Sequence, residues 1–238
     1  MPSPPESPYD HGFVRLAAAV PPMAVSRAAS NTDETVRLLR RAAEDHIALV
    51  VFPELGLVGY TSGDLLHQQA LLDAALEGLE RVRAATEDLA NPAGIAPVAV
   101  VGLPVRVGTS LYNCAAVVHR GSVLGLVPKS YLPNYREFYE KRHFSPARAA
   151  TVDEVTLLGR RVAFGTDVLV VASDVPDLVV GIEVCEDLWA PVPPSTYAAL
   201  AGATVVLNLS GSNATIGKAD YRRELCAAHS ARTIAAYA

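Results

Sequence analysis

Cys185 is the residue of this chain whose position most directly suggests chemistry. It follows the apolar run 179–184 and precedes two carboxylates, Glu186 and Asp187. In layered α/β proteins, ligands bind beyond the carboxyl ends of the strands, so a thiol at such an end lies where a nucleophile would be needed. A cysteine in an apolar strand is more often a small buried hydrophobic residue, so the thiol alone does not establish a site.

Two other strand ends carry the groups that a reactive thiol needs. Glu54 follows the run 47–52, and Lys129 follows the run 123–127. A free thiol is mostly un-ionised near neutral pH and needs a base or a cation beside it, while attack on a carbonyl builds negative charge that needs a donor. Either residue alone is typical of a solvated loop. Taken with Cys185, they predict acyl transfer in which Glu54 is the base and Lys129 the cation.

A cysteine–histidine pair is the main alternative mechanism. The candidate histidines are His46, His67, His119, His143 and His229. None of them follows a predicted strand in the way that Glu54 and Lys129 do, and His143 lies in a long polar loop. The sequence therefore favours a carboxylate as the base.

The segment Ser210–Asn213 follows another apolar run and consists of small residues. Exposed backbone amides in such a loop would suit a phosphate group. The segment lacks the Gly-Lys-Ser/Thr ending of a nucleotide P-loop, and it also lacks the Ser-Gly-Gly-x-Asp-Ser pattern of ATP pyrophosphatases. We interpret it as a loop that lines a pocket.

The elements that must position these residues alternate between apolar runs and helical patterns, which predicts an α/β fold. The predicted strands cover residues 13–20, 47–52, 98–105, 112–119, 123–127, 168–172, 178–184 and 204–209. The predicted helices cover residues 32–45, 65–89, 195–201 and 219–236. Asn31 is placed to cap the first helix, and Asn91–Gly94 to end the second. We expect a hairpin turn at 120–121, a long loop from Ser130 to Arg148, and no strand after the last helix.

Composition excludes several classes of protein. Half of the 238 residues are hydrophobic and the net charge is -5. No basic stripe with interleaved aromatic residues indicates a nucleic-acid partner, and no apolar run approaches the roughly 18 residues that a membrane helix needs. Cys114, Cys185 and Cys226 lie far apart without metal-ligand spacing, so we expect no disulfide framework, no metal site, and a cytoplasmic location. We expect residues 1–12, which lack a signal-peptide pattern, to be flexible, and residues 13–238 to form one domain.

Three segments carry a resemblance to a known family. Residues 52–55, 128–133 and 183–187 resemble the Glu, Lys and Cys motifs of the nitrilase superfamily of carbon–nitrogen hydrolases, in the same order and at strand ends. A more particular likeness rests on residues 129–140, 165–167 and 207–213, which are similar to the glutaminase domains of glutamine-dependent NAD+ synthetases. The resemblance covers nearly the whole chain.

The resemblance implies a role for each matching residue. Glu54 would be the general base, Cys185 would attack the side-chain amide of L-glutamine, and Lys129 would stabilise the tetrahedral intermediate. Glu137 matches the second glutamate, which supports the lysine in this superfamily. Three residues would hold the amino-acid end of glutamine: Tyr135, Ser212 and Lys218.

The resemblance also implies an architecture and partners. The fold would be a four-layer α-β-β-α sandwich that lacks its C-terminal strands, and the superfamily implies a homo-oligomer. The ammonia would pass to a synthetase domain, absent here, and ATP and Mg²⁺ would belong to that domain rather than to this one. The remaining alternatives are a stand-alone amidase or nitrilase acting on another small amide, and a non-catalytic truncated module.

Overall fold

The computed structural model describes residues 8–89 and 95–238, which contain two β-sheets. The larger sheet has the strand order β1-β2-β3-β4-β5-β7-β6. Its strands are β1 (Leu16–Ala18), β2 (Leu49–Val51), β3 (Val98–Val107), β4 (Ser110–His119), β5 (Ser122–Pro128), β6 (Glu154–Leu157) and β7 (Arg160–Phe164). Strands β1, β2 and β3 run parallel, and β3, β4 and β5 form successive antiparallel pairs.

The smaller sheet has the strand order β11-β10-β9-β8. Its strands are β8 (Val170–Val171), β9 (Val179–Val184), β10 (Val205–Leu209) and β11 (Ala236–Tyr237). Strands β9, β10 and β11 are parallel, so the carboxyl ends of β9 and β10 lie at one edge of the sheet.

In the part of the chain that the structure describes, four α-helices cover the outer faces of the two sheets: α1 (Ala28–Glu44), α2 (Gln69–Ala85), α3 (Pro194–Leu200) and α4 (Lys218–Thr233). Helix α1 packs on α2, which contacts β3 and β4, while α3 contacts β9 and α4 contacts β11. The two sheets face each other through an apolar core that includes Val100 and Val117 of the larger sheet and Ile182 and Leu207 of the smaller one. The chain is therefore a four-layer α-β-β-α sandwich. No helix within 8–89 and 95–238 is long and apolar enough to cross a bilayer.

Most predicted elements are confirmed, with different ends. Strands β6 and β7 were not predicted, because they are short and carry charged residues. Strand β11 contradicts the expectation that no strand follows the last helix. Asn31 does not cap α1, because the helix begins earlier, at Ala28. The buried side-chain amide of Asn31 instead contacts the backbone N–H and C=O of Ala24. The predicted break at 91–94 lies outside the described residues, as does most of the segment 1–12, of which residues 8–11 form a 3₁₀ turn.

Candidate active site

Cys185 lies where strand β9 turns abruptly into a short 3₁₀ helix, Cys185–Trp189. Its φ angle is 49°, in the left-handed region that residues with a Cβ atom rarely adopt. Its side chain is buried, and the hydroxyl of Ser210, which follows β10, lies 3.4 Å from the Sγ atom. The strand therefore ends by presenting the thiol at the edge of the sheet in a strained turn, a feature that often marks functional sites.

Glu54 and Lys129 meet in the interior beside this turn. The Nζ atom of Lys129 lies 2.6 Å from the Oε1 atom of Glu54, and both side chains are fully buried. The loop that carries Glu54 follows β2 and packs tightly on β3 at Gly102, and this packing holds Glu54 beside Lys129. A Cβ atom at Gly102 would lie 2.4 Å from the backbone nitrogen of Leu55, so only glycine allows this close approach.

Two further groups fix the orientation of the Glu54 carboxylate. Asn113 donates its side-chain N–H to Oε1 at 2.7 Å, and the backbone N–H of Gly211 donates to Oε2 at 2.9 Å. Ser210 contacts the thiol and the adjacent Gly211 contacts Glu54, so the loop 210–213 places the thiol and the carboxylate side by side. The predicted pocket-lining role of this loop is consistent with its place in the site.

Glu140 takes the position beside Lys129 that the family resemblance assigned to Glu137. The Oε1 atom of Glu140 lies 2.6 Å from the Lys129 Nζ atom and accepts a hydrogen bond from the Tyr60 hydroxyl at 2.6 Å. Glu137 is wrong for that role, because its carboxylate is directed to the side-chain N–H of Asn213 near the protein surface. The tight turns that follow Tyr135 direct Glu140 inward and leave Glu137 outward.

Asp187 connects the loop of Lys129 to the turn of Cys185, a connection that the sequence did not predict. Its buried carboxylate accepts hydrogen bonds from the backbone N–H groups of Tyr131 at 2.8 Å and Ser130 at 3.1 Å. It also accepts one from the backbone N–H of Val184 at 3.0 Å. A single side chain thus sets the distance between the segment that carries the lysine and the segment that carries the thiol.

The electrostatics of this cluster favour a neutral thiol and a charged lysine. Burial and the charge of Glu54 raise the pKa of Cys185 to about 12, against the opposing effect of Lys129. Burial alone would lower the pKa of Lys129, but Glu54, Cys185 and Glu140 together raise it above its usual value. Burial raises the pKa of Glu140 to about 7 in spite of Lys129. At neutral pH the thiol must therefore lose its proton to a neighbour as it reacts.

The three residues predicted to hold the amino-acid end of a substrate lie at the outer side of the site. The Tyr135 hydroxyl donates to the Glu186 carboxylate at 2.9 Å. The Nζ atom of Lys218 lies 5.0 Å from the ring centre of Trp189 and contacts Asn213. Ser212 accepts a hydrogen bond from Arg222 at 3.2 Å. Glu186, Trp189 and Arg222 thus also lie in this region, and no side-chain role was predicted for them.

The histidines lie in other surroundings. His67 and His143 contact each other with 3.1 Å between their ring nitrogens, and His229 lies 2.7 Å from the Ser195 hydroxyl. The hydrogen bonds found for these rings do not lead to Cys185, whereas the Glu54 carboxylate lies close enough to the thiol to raise its pKa. The geometry thus supports a carboxylate rather than a histidine as the base.

The fold and the site together define a carbon–nitrogen hydrolase. The family model described as carbon-nitrogen hydrolase matches residues 15–238, so the chain belongs to that family.

Within this family, the chain is similar in sequence to glutamine-dependent NAD(+) synthetases. The chain is 48% identical over 231 residues to the glutamine-dependent NAD(+) synthetase of Mycobacterium tuberculosis, which covers 97% of this chain and 33% of that protein. It is 45% identical over 232 residues to the protein of the same name from Mycobacterium leprae, with 96% and 33% covered. The chain spans about one third of the length of these curated relatives.

Solved structures show the same fold. A glutamine-dependent NAD(+) synthetase from Cytophaga hutchinsonii superposes with a TM-score of 0.81 at 26% identity, covering 94% of this chain and 35% of that one. An amidase of the nitrilase superfamily from Nesterenkonia superposes with a TM-score of 0.71 at 21% identity, covering 94% and 75%. The second comparison supports the fold alone.

Proposed function

We propose that this chain is the glutaminase part of a glutamine-dependent NAD+ synthetase and releases ammonia from L-glutamine through Cys185. The observation that carries the proposal is the buried contact between Glu54 and Lys129 beside the Cys185 thiol. This arrangement offers a nucleophile, a base and a cation at one point, which is what hydrolysis of an amide through a covalent intermediate requires.

In the first half of the reaction, the Glu54 carboxylate takes the thiol proton as Sγ bonds to the amide carbon of glutamine. Negative charge develops on the amide oxygen, where the ammonium of Lys129 and the backbone N–H of Glu186 stabilise it. The proton held by Glu54 then passes to the amide nitrogen, the C–N bond breaks, and ammonia leaves. A glutamyl thioester on Cys185 remains.

In the second half, Glu54 removes a proton from a water molecule that attacks the thioester carbon. The C–S bond breaks, glutamate leaves, and the proton returns from Glu54 to the thiolate. Lys129 and Glu140 keep the charge of the cluster balanced through both steps, since one ammonium lies between two carboxylates. These steps need side chains and water and call on no cofactor bound to this domain.

Selectivity for glutamine would come from the outer side of the site. The charged ends of a free amino acid need a carboxylate for the ammonium group and a cation for the carboxylate group. Glu186, oriented by Tyr135, supplies the first, and Lys218 with Ser212 supplies the second. A small uncharged amide would leave these groups without partners, so we expect it to be a poorer substrate.

The ammonia would serve a synthetase domain that amidates nicotinic acid adenine dinucleotide, with ATP and Mg²⁺ bound there. The relatives support this part of the proposal by their names and by their length, which is about three times that of this chain.

We further propose that residues 13–238 act as one domain in the cytoplasm, in line with three free thiols, and that copies of the chain associate. Exposed apolar side chains on and beside α3, including Tyr197 and Leu200, favour association through that layer.

Ammonia release from glutamine by the wild type, Cys185→Ala and Cys226→Ala tests the proposal. Cys226 lies on α4 and is the control thiol, because it takes no part in the contacts given above for Glu54, Lys129 and Cys185. We expect release by the wild type and Cys226→Ala and none above background from Cys185→Ala. A panel of small amides measured beside glutamine separates a glutaminase from a general amidase. Release that survives in Cys185→Ala rejects the nucleophile, and a folded wild type that hydrolyses no amide supports a non-catalytic module.

A further inference from the structure

The backbone of Cys185 is held by a single side chain from the neighbouring strand. The N–H of Cys185 donates to the Oδ1 atom of Asn208 at 3.0 Å, and the Nδ2 atom of Asn208 lies 3.4 Å from the Cys185 carbonyl oxygen. Cys185 has a left-handed φ angle, which a residue with a Cβ atom adopts only when its surroundings impose it. Asn208 contacts both backbone polar groups of this strained residue.

The side chain of Asn208 is itself oriented by Glu183 of β9, the residue with which Asn208 is paired in the sheet. The Nδ2 atom lies 3.2 Å from the Glu183 Oε1 atom and 2.9 Å from the Tyr237 hydroxyl, and that hydroxyl donates to Glu183. A carboxylate only accepts hydrogen bonds, so the amide must turn its NH₂ group toward Glu183. Its oxygen is then directed to the N–H of Cys185.

The strand pattern explains why this pair lies under the thiol. Ile182, Val184, Leu207 and Leu209 belong to the core between the sheets. Side chains alternate along a strand, so Glu183 and Asn208 face the layer of α3 and α4 instead. In this layer Glu183 is fully buried, and its carboxylate also accepts a hydrogen bond from the backbone N–H of Ser195 at 3.0 Å. The helix layer thereby fixes Glu183, and Glu183 fixes Asn208.

We propose that Asn208 is a positioning residue for the Cys185 nucleophile, with Glu183 and Tyr237 setting the orientation of its amide group. Asn208 occupies the N–H of Cys185 and leaves the N–H of Glu186 as the backbone donor toward the substrate oxygen. Its hydrogen bonds lead to Cys185, Glu183 and Tyr237 rather than to Tyr135, Ser212 or Lys218. Loss of the amide should therefore affect the chemical step more than substrate binding. This inference rests on the proposed nucleophilic role of Cys185.

The test compares Asn208→Ala with Asn31→Ala. Asn31 is a matched control because its amide contacts the N–H and C=O of Ala24 in the same way, and its further contact, at 3.4 Å, is with the C=O of Leu57 rather than with Cys185. For Asn208→Ala we expect kcat for glutamine to fall about 10- to 100-fold while KM changes less than about threefold. Asn31→Ala should change neither by more than about threefold, at a comparable loss of melting temperature. Equal kinetic effects of the two variants would overturn the proposal.

Alkylation of the thiol gives a readout that does not depend on the substrate. The rate of iodoacetamide modification of Cys185, measured by peptide mass spectrometry over time, should fall in Asn208→Ala and stay unchanged in Asn31→Ala. An unchanged rate in Asn208→Ala would contradict the proposal. If the wild type is alkylated at Cys185 but hydrolyses no glutamine, the proposed substrate fails while this comparison still decides the role of Asn208.

Two conservative variants keep the test valid if Asn208→Ala does not fold. Tyr237→Phe retains the ring that packs edge-on against His229 and removes only the hydroxyl, so kcat should fall about three- to tenfold. Asn208→Asp places a second carboxyl group beside Glu183, and that group can donate a hydrogen bond only when protonated. Its activity relative to the wild type should therefore rise as the pH is lowered from about 8 to about 6. A kcat unchanged in Tyr237→Phe and a pH-independent ratio in Asn208→Asp would overturn the proposal.

Discussion

The Nζ atom of Lys129 lies between the carboxylates of Glu54 and Glu140, 2.6 Å from one oxygen of each. The three side chains are buried, so the ammonium compensates two acidic groups that have little access to water. The two ion pairs explain why the Lys129 side chain, at the end of β5, can be buried in the protein interior.

Substitution of Lys129 by Met should destabilise the fold as well as abolish turnover. Removing one partner of a buried ion pair leaves the other charge uncompensated, which costs about 3–5 kcal/mol in the free energy of unfolding. Lys141→Met, at an exposed lysine of the following loop, is the control and should leave stability nearly unchanged. Urea unfolding of both variants measures the difference. Equal midpoints for the two would contradict the compensating role of Lys129.

Glu140→Gln and Glu137→Gln separate the two glutamates. Glu140 contacts Lys129 and Tyr60, so its neutral variant should lower kcat by about 10²-fold or more through loss of charge beside the ammonium. Glu137 contacts Asn213 near the surface, and Glu137→Gln should change kcat by less than about fivefold. Steady-state ammonia release checks both. The reverse order of effects would restore the assignment made from the sequence.

Glu54→Gln should make the thiol more acidic and the enzyme inactive at the same time. The Glu54 charge raises the pKa of Cys185, so its removal lowers that pKa and the thiolate forms at a lower pH. Turnover should nevertheless fall about 10²- to 10⁴-fold, because the general base is gone. The pH dependence of iodoacetamide modification at Cys185, followed beside ammonia release, measures both quantities. A midpoint that stays in place or moves to higher pH would refute the coupling of Glu54 to the thiol.

Lys218→Met should weaken substrate binding with little effect on the chemical step. Its ammonium lies over the Trp189 ring at the outer side of the site and would face the carboxylate group of glutamine. We expect KM to rise about tenfold or more at a nearly constant kcat. Arg223→Met on the same helix is the control, since that exposed side chain pairs with Asp220. A similar KM for both variants would remove Lys218 from the substrate site.

The sequence predicted the strand ends better than it predicted the interior contacts between loops. Cys185, Glu54 and Lys129 follow apolar runs, and parallel packing brings such ends together, so their meeting could be expected. Glu140 and Glu137 lie in one irregular loop without periodicity, where only the fold decides which carboxylate turns inward. The capping pattern at Asn31 was misleading because tertiary contacts begin α1 earlier, at Ala28. Asp187 was noted only as a carboxylate after Cys185, and Asn208 was not noted as a site residue, because their roles depend on hydrogen bonds that only the fold brings about.

Covalent capture of the nucleophile tests the central claim most directly. An L-glutamine analogue in which a diazoketone replaces the side-chain amide should react at Cys185, and excess glutamine should protect the site. Peptide mass spectrometry should find the adduct on Cys185 and on neither Cys114 nor Cys226, because the Cys114 side chain is buried in a different apolar core cluster from that of Cys185 and Cys226 lies on α4. A folded protein that carries no adduct at Cys185, or carries it equally on Cys226, would contradict the account.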